Sequence, residues 1–148
     1  MVKKEVEKLL KKVQKPARYT GGELNSVVKD KKDIKCRYAF CFPDNYEIGM
    51  SHLGMKILYS VVNERKDAWC ERVFAPWEDM EKFMRENDVK LYTLESGDSL
   101  DEFDLIGFSL QYELCYSNVL NMLDLGGLPV LKKDRTSLTP IIVAGGPC

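Results

Sequence analysis

Apolar residues first recur at helical spacing, with Val2, Val6, Leu9, Leu10 and Val13 on one stripe and Pro16 closing the pattern. That spacing predicts a short amphipathic helix, within a stretch of fifteen residues that carries six lysines. Residues 18–25, with Gly21 and Gly22 adjacent, read as a turn-rich connector, and residues 29–33 as a polar segment. From Ile34 the pattern becomes nearly continuous: Cys36, Tyr38, Ala39, Phe40, Cys41 and Phe42 predict a parallel strand buried on both faces.

After a loop over residues 43–49, Met50, Leu53, Leu58, Val61 and Val62 return to helical spacing, with Ser51 as the expected N-cap and residues 63–66 as a polar end. The unit then repeats. Residues 70–75 predict a second strand, and Pro76 precedes a helix carrying Trp77, Met80, Phe83 and Met84. Residues 89–94 predict a third strand, 96–102 a polar link and 103–110 a fourth strand. Leu114, Val119, Leu120, Met122 and Leu123 mark a helix that Gly126 and Gly127 terminate. Residues 128–131 are a short extended piece, 132–139 a loop and 141–144 a last strand, followed by Gly145, Gly146 and Pro147.

Strands alternating with helices of these lengths predict an α/β fold of the Rossmann or flavodoxin-like kind, a doubly wound three-layer sandwich with a mostly parallel sheet. Residues 1–33 would be the N-terminal helix and connector, and residues 34–148 the α/β domain. Such sheets bind ligands beyond the carboxyl ends of their strands, near the point where strand order reverses. The candidate edge therefore lies in the loops after Phe42, Phe108 and Ala144. A last apolar strand with no helix behind it reads as an N-terminal piece of a longer protein, with a surface left to be covered and a strand free to self-associate.

Composition narrows the class without naming a partner. The 148 residues are 45% hydrophobic and 30% charged with a formal net charge of -1, so there is no basic footprint for nucleic acid. No apolar stretch approaches the roughly 20 residues of a membrane helix, and the N-terminus lacks a secretory signal, which points to the cytoplasm. Cys36, Cys41, Cys70, Cys115 and Cys148 show no close metal-binding spacing and are expected to be reduced and mostly buried. Cys36 and Cys41 would point to opposite faces of one strand, so they are not expected to share a metal or a disulfide.

The candidate chemistry sits after the first strand. Asp44-Asn45-Tyr46-Glu47-Ile48-Gly49 has the outline of an Asp-x-His-x-x-Gly cobalamin signature with tyrosine in the histidine position. Around it, Arg18 to Glu23, Phe42 to Ser51, Glu71 to Trp77 and Gly145 to Cys148 look like blocks of a known family. From about Pro16 onward the chain resembles the N-terminal cobalamin-binding-like domain of bacterial radical S-adenosylmethionine (radical SAM) proteins.

The resemblance implies a cofactor edge made by Asp44, Tyr46, Gly49, Ser109, Leu110, Gly145 and Gly146. In cobalamin-binding proteins of this fold the corrin rests on the strand ends and the nucleotide tail slides between strands and helices. Ser109 and Leu110 fall where the tail would pass, and Gly145 and Gly146 permit close backbone approach. Tyr46 departs from the signature, because an uncharged phenol with a pKa of about 10 is a poor transition-metal ligand where imidazole is a good one. The resemblance thus leaves two functions open. One is a cobalamin-positioning domain with no histidine beneath the cobalt; the other has lost cobalamin and serves as a docking or substrate-recognition module. In either case the iron-sulfur cluster, S-adenosylmethionine and catalysis would belong to a radical SAM domain elsewhere in the parent chain, this domain's expected partner. The chain carries no Cys-x-x-x-Cys-x-x-Cys motif, and no catalytic or metal-ligating residue is assigned to it.

The remaining candidates have plainer roles. His52, the only histidine, opens the crossover helix and suits a cap better than a ligand. Glu47 and Glu113 read as surface charges in preference to an acid and base. Tyr112, Tyr116 and Trp77 read as core or interface residues. Ser109 lacks the Gly-x-Ser-x-Gly elbow of an esterase nucleophile. A free-standing receiver-like or flavodoxin-like module is disfavoured, since the first strand lacks paired acidic residues and the first loop lacks a run of hydroxyls.

Overall fold

A computed structural model describes residues 4–148. Four apolar runs become four strands: β1 (Cys36–Phe42), β2 (Ala68–Phe74), β3 (Leu105–Ser109) and β4 (Ile141–Gly145). They form one all-parallel sheet in the order β2-β1-β3-β4, with Cys36 to Phe42 in unbroken register against Ala68 to Phe74. Among the described residues five α-helices connect or cover them: α1 (Lys4–Leu10), α2 (Tyr46–Ser51), α3 (Leu53–Glu64), α4 (Glu78–Glu86) and α5 (Tyr116–Leu125). This is the expected doubly wound α/β architecture, and no described helix is long and apolar enough to cross a membrane.

Strand alternation divides the core. On one face Ala39, Cys41, Val73, Ile106 and Phe108 pack with Val6 and Leu9 of α1, Met80 and Met84 of α4, and Met122, Leu123 and Leu125 of α5. On the other, Phe40, Phe42, Cys70 and Phe74 pack with Met55 and Tyr59 of α3 and with Leu94. The N-terminal helix thus shares the main core; Val2, the first residue of its expected stripe, lies outside the described residues.

Three expectations about elements need correction. Residues 89–94 do not form a strand of the sheet; their single bridge pairs Tyr92 with Ser99. Leu91 to Glu95 are all buried, but the amides go elsewhere: Leu91 N–H donates to the Leu125 carbonyl, Thr93 N–H to Asp98 and Leu94 N–H to Arg72. Burial without a ladder produced the strand-like pattern. The crossover helix is broken into α2 and α3 at His52, whose Nδ1 accepts the Met55 N–H at 3.1 Å. His52 therefore caps α3, and Ser51, the expected cap, instead donates its hydroxyl to the Ile48 carbonyl. Trp77 sits at the N-cap position of α4, ahead of the helix, and is 45% exposed.

Candidate functional site

Strand order reverses between β1 and β3, so the crevice that would receive a ligand lies between the loop after Phe42 and the loop after Ser109. Asn45 caps α2 by accepting the Ile48 N–H at 3.1 Å. That cap fixes the direction in which Asp44 and Tyr46 leave the backbone. The Asp44 carboxylate accepts the Tyr112 hydroxyl at 2.5 Å and the Asn45 N–H at 2.7 Å. Its hydrogen bond to Asp44 pushes the Tyr112 phenol up to about 12, so the tyrosine remains the donor. The Pro43 carbonyl accepts from Asn118 Nδ2 at 2.9 Å, a second tie between the same two regions.

A third tie runs through His52. Because its Nδ1 accepts from Met55, its Nε2 carries the proton and donates to Gln111 Oε1 at 3.1 Å. Gln111 Nε2 then donates to Ser109 Oγ at 2.5 Å. The crevice is thus bridged by Asp44–Tyr112 on one line and His52–Gln111–Ser109 on another.

Tyr46 takes no part in this. Its ring meets Phe74 edge-on with centroids 5.5 Å apart, and its hydroxyl donates to Glu23 Oε1 at 3.2 Å, which directs it toward β2 and the connector. Burial, then the neighbouring Glu23 carboxylate, raises the Tyr46 pKa. The phenolate that a metal would need is disfavoured. Among the described residues no group of three or more His, Cys, Asp or Glu side chains is placed to hold a metal ion.

Gly49 and Gly146 have structural explanations. A Cβ on Gly49 would lie 2.2 Å from the Phe74 ring and 3.1 Å from Phe42, so Gly49 lets α2 press onto the two aromatics that end β1 and β2. A Cβ on Gly146 would meet the Leu110 carbonyl oxygen at 1.8 Å, and the Leu110 N–H donates to Gly145 at 2.8 Å. Gly145 itself has open space around its Cβ position. Asp44, Ser109, Leu110, Gly145 and Gly146 therefore gather at one edge, Gly49 supports it from behind, and Tyr46 turns away.

The residues around this edge do not fit a cobalt ion. The motif's metal position is a hydrogen-bonded phenol, and the other named side chains already have partners within the chain. Glu47 is exposed and held by Arg18, at 3.0 Å to Nε and 2.8 Å to Nη2, and by Lys15. The Arg18 guanidinium lies 5.1 Å from the Trp77 ring centre, which gives that exposed indole a partner.

A buried ionic cluster stands next to the site and was not anticipated. Glu71 is fully buried and accepts from Arg37 Nη2, Thr93 Oγ1 and the Ser96 N–H at 2.5, 2.7 and 3.0 Å. Arg72, on the opposite face of the same strand, donates its N–H and Nε to Glu95 at 2.7 Å each and lies 4.5 Å over the Tyr59 ring. The signal available in the sequence was the adjacent charged pair inside an apolar strand. Beside Arg72, a cleft of about 580 Å³ opens between α3 and the connector, lined by Leu24, Val27, Met50, Met55 and Tyr59 among others.

The profile of a family described as "Radical SAM proteins, N-terminal" matches residues 54–148. An uncharacterized protein of Methanocaldococcus jannaschii is 27% identical over 110 residues, which take up 74% of this chain and 19% of that protein. The chain thus spans less than a fifth of the length of this curated relative. No solved structure matches.

Proposed function

The chain belongs to the family of radical SAM N-terminal regions, and from that premise we propose that it is a non-catalytic docking module of a longer radical SAM polypeptide. In this reading the iron-sulfur cluster and S-adenosylmethionine are held by a separate domain of that polypeptide. The sheet's carboxyl edge packs on that domain or presents a substrate to it. One observation supports the choice of docking over cofactor binding: the Asp44–Tyr112 hydrogen bond bridges the crevice that a cofactor tail would enter. The cytoplasm is the compartment that suits an oxygen-sensitive cluster and five unpaired cysteines.

A cobalamin-positioning role is the second reading. What favours it is the gathering of Asp44, Ser109, Leu110, Gly145 and Gly146 at one edge. It requires Tyr112 and Gln111 to swing aside and leaves the cobalt without a ligand from Tyr46.

Absorption-monitored titration with cobalamin separates the two, using this chain and a longer polypeptide reaching past Cys148. The docking reading expects no saturable spectral change with either. A saturable change marking displacement of the nucleotide tail would overturn it in favour of cobalamin.

A further inference from the structure

The two edges of the sheet are finished differently. Along the outer side of β2, the Ala68 carbonyl accepts from Lys29 Nζ at 2.7 Å. The Asn63 side chain takes both groups of Cys70, Oδ1 accepting its N–H and Nδ2 donating to its carbonyl, at 3.0 Å each. Arg72 N–H donates to Glu95, and the Arg72 carbonyl accepts the Leu94 N–H at 2.9 Å. This edge is closed to any further strand.

The outer side of β4 has no such cover. The ladder to β3 begins with Ile141 N–H on the Asp104 carbonyl and ends with Leu110 N–H on the Gly145 carbonyl. Parallel pairing uses alternate residues, so Ile142 and Ala144 aim their N–H and carbonyl groups outward. No described residue bonds to them.

The side chains continue the contrast. Ile141 and Val143 point to the α3 face of the sheet and are 68% and 46% exposed, although a parallel sheet ordinarily has both faces covered. On α3 the flank bearing Lys56, Ser60 and Asn63 borders the cleft under the connector. The other flank carries Ile57, Leu58 and Val61, each more than half exposed. That apolar flank lies away from the cleft, and between it and Ile141 and Val143 the Tyr38 ring covers Gly107, so helix and sheet leave an apolar trough with Tyr38 in its floor.

We propose that this trough and the β4 edge together seat a strand followed by an amphipathic helix, supplied by the longer polypeptide itself. The strand adds in parallel to Ile142 and Ala144, and the helix lays its apolar stripe on Ile57, Leu58, Val61, Ile141 and Val143. Handedness supports a same-chain source. A right-handed connection from β4 runs over the face that holds α4 and α5 and delivers the strand to the open edge, while the exposed Ile141, Val143 and Val61 leave the opposite face for the helix after it. A second copy of this chain related by a two-fold axis would pair β4 antiparallel and supply no helix for the trough. The curated relative, of which the match covers 19%, has ample length for such a segment. The proposal rests on sheet topology and stands apart from the docking reading of the carboxyl edge.

Amide hydrogen exchange at Ile142 and Ala144 tests it, comparing this chain with a polypeptide extended past Cys148. Protection on the order of 100-fold or more in the longer polypeptide is expected, and Val61→Asp in that polypeptide should remove most of it. Exchange that stays equally fast in the longer polypeptide overturns the proposal. Protection that instead rises with the concentration of the short chain, with sedimentation showing a dimer, overturns it in favour of self-pairing. Neither outcome depends on whether cobalamin binds.

Discussion

Asp44 and Tyr112 lie 68 residues apart in sequence and 2.5 Å apart across the gap between β1 and β3. Neither side chain is deeply buried, yet their bond joins the two loops that define the switch point. Replacing Tyr112 by Phe should cost about 1 kcal/mol, the ordinary net worth of one hydrogen bond to a charged group with solvent access. The pH dependence has a definite sign. The Tyr112 pKa is raised to about 12 in the folded chain, against about 10 in an unfolded one. The contribution is therefore complete below pH 10 and is lost as pH rises through 12. Urea unfolding of both proteins at pH 8 and pH 11 should show the difference shrinking at the higher pH.

Tyr46→His restores the residue that the cobalamin signature calls for. It should not create cobalamin binding by itself, because position 46 faces Phe74 and Glu23 and the crevice stays bridged by Tyr112 and Gln111. Spectra of cobalamin mixed with this variant should match those of the free cofactor. A saturable shift would show that the loop rearranges more readily than its contacts indicate.

Gly49→Ala and Gly145→Ala form a matched pair. The first places a methyl 2.2 Å from the Phe74 ring and should destabilise by about 1–3 kcal/mol, the range for overpacking. The second meets nothing within 4 Å and should fall within about 0.5 kcal/mol of the parent. Chemical denaturation of each decides whether the motif glycine is kept for packing.

Glu95→Ala removes the carboxylate that holds both the N–H and Nε of Arg72. Arg72 then keeps its burial with Glu23, Ser26, Met50 and the Tyr59 ring as its remaining side-chain partners. A loss of about 3–5 kcal/mol is expected for breaking a buried pair from one side. Denaturant midpoints measure it, and Glu95→Gln should recover part of the loss by retaining one acceptor.

The four strands of the sheet were legible because each carries an apolar run, Phe40 to Phe42 and Ile106 to Phe108 being the clearest, even with Glu71 and Arg72 inside β2. The helix end at Gly126 and Gly127 was legible for the same local reason, with Gly127 at φ 71°. What misled was burial achieved without a ladder. Residues 89–94 read as a strand because the side chains from Leu91 to Leu94 are inside, while the backbone spends its hydrogen bonds on Leu125, Asp98 and Arg72. The site was legible as a set of loops and a tyrosine substitution. Its closure was not, since the partners of Asp44 and His52 stand 68 and 59 residues away and no local pattern marks Tyr112 or Gln111 as their match.

The Arg72–Glu95 pair also sets how the molecule meets dissolved ions. Charges with water around them lose much of their attraction over a Debye length of about 8 Å at physiological ionic strength, whereas a pair shut inside protein is screened far less. On α4 the Arg85–Glu81 and Lys82–Glu86 pairs lie in solvent, with Arg85 44% and Lys82 69% exposed; at Glu95 the side chain is fully enclosed. Brine should therefore loosen the outer helix while the closed margin of the sheet keeps its fastening.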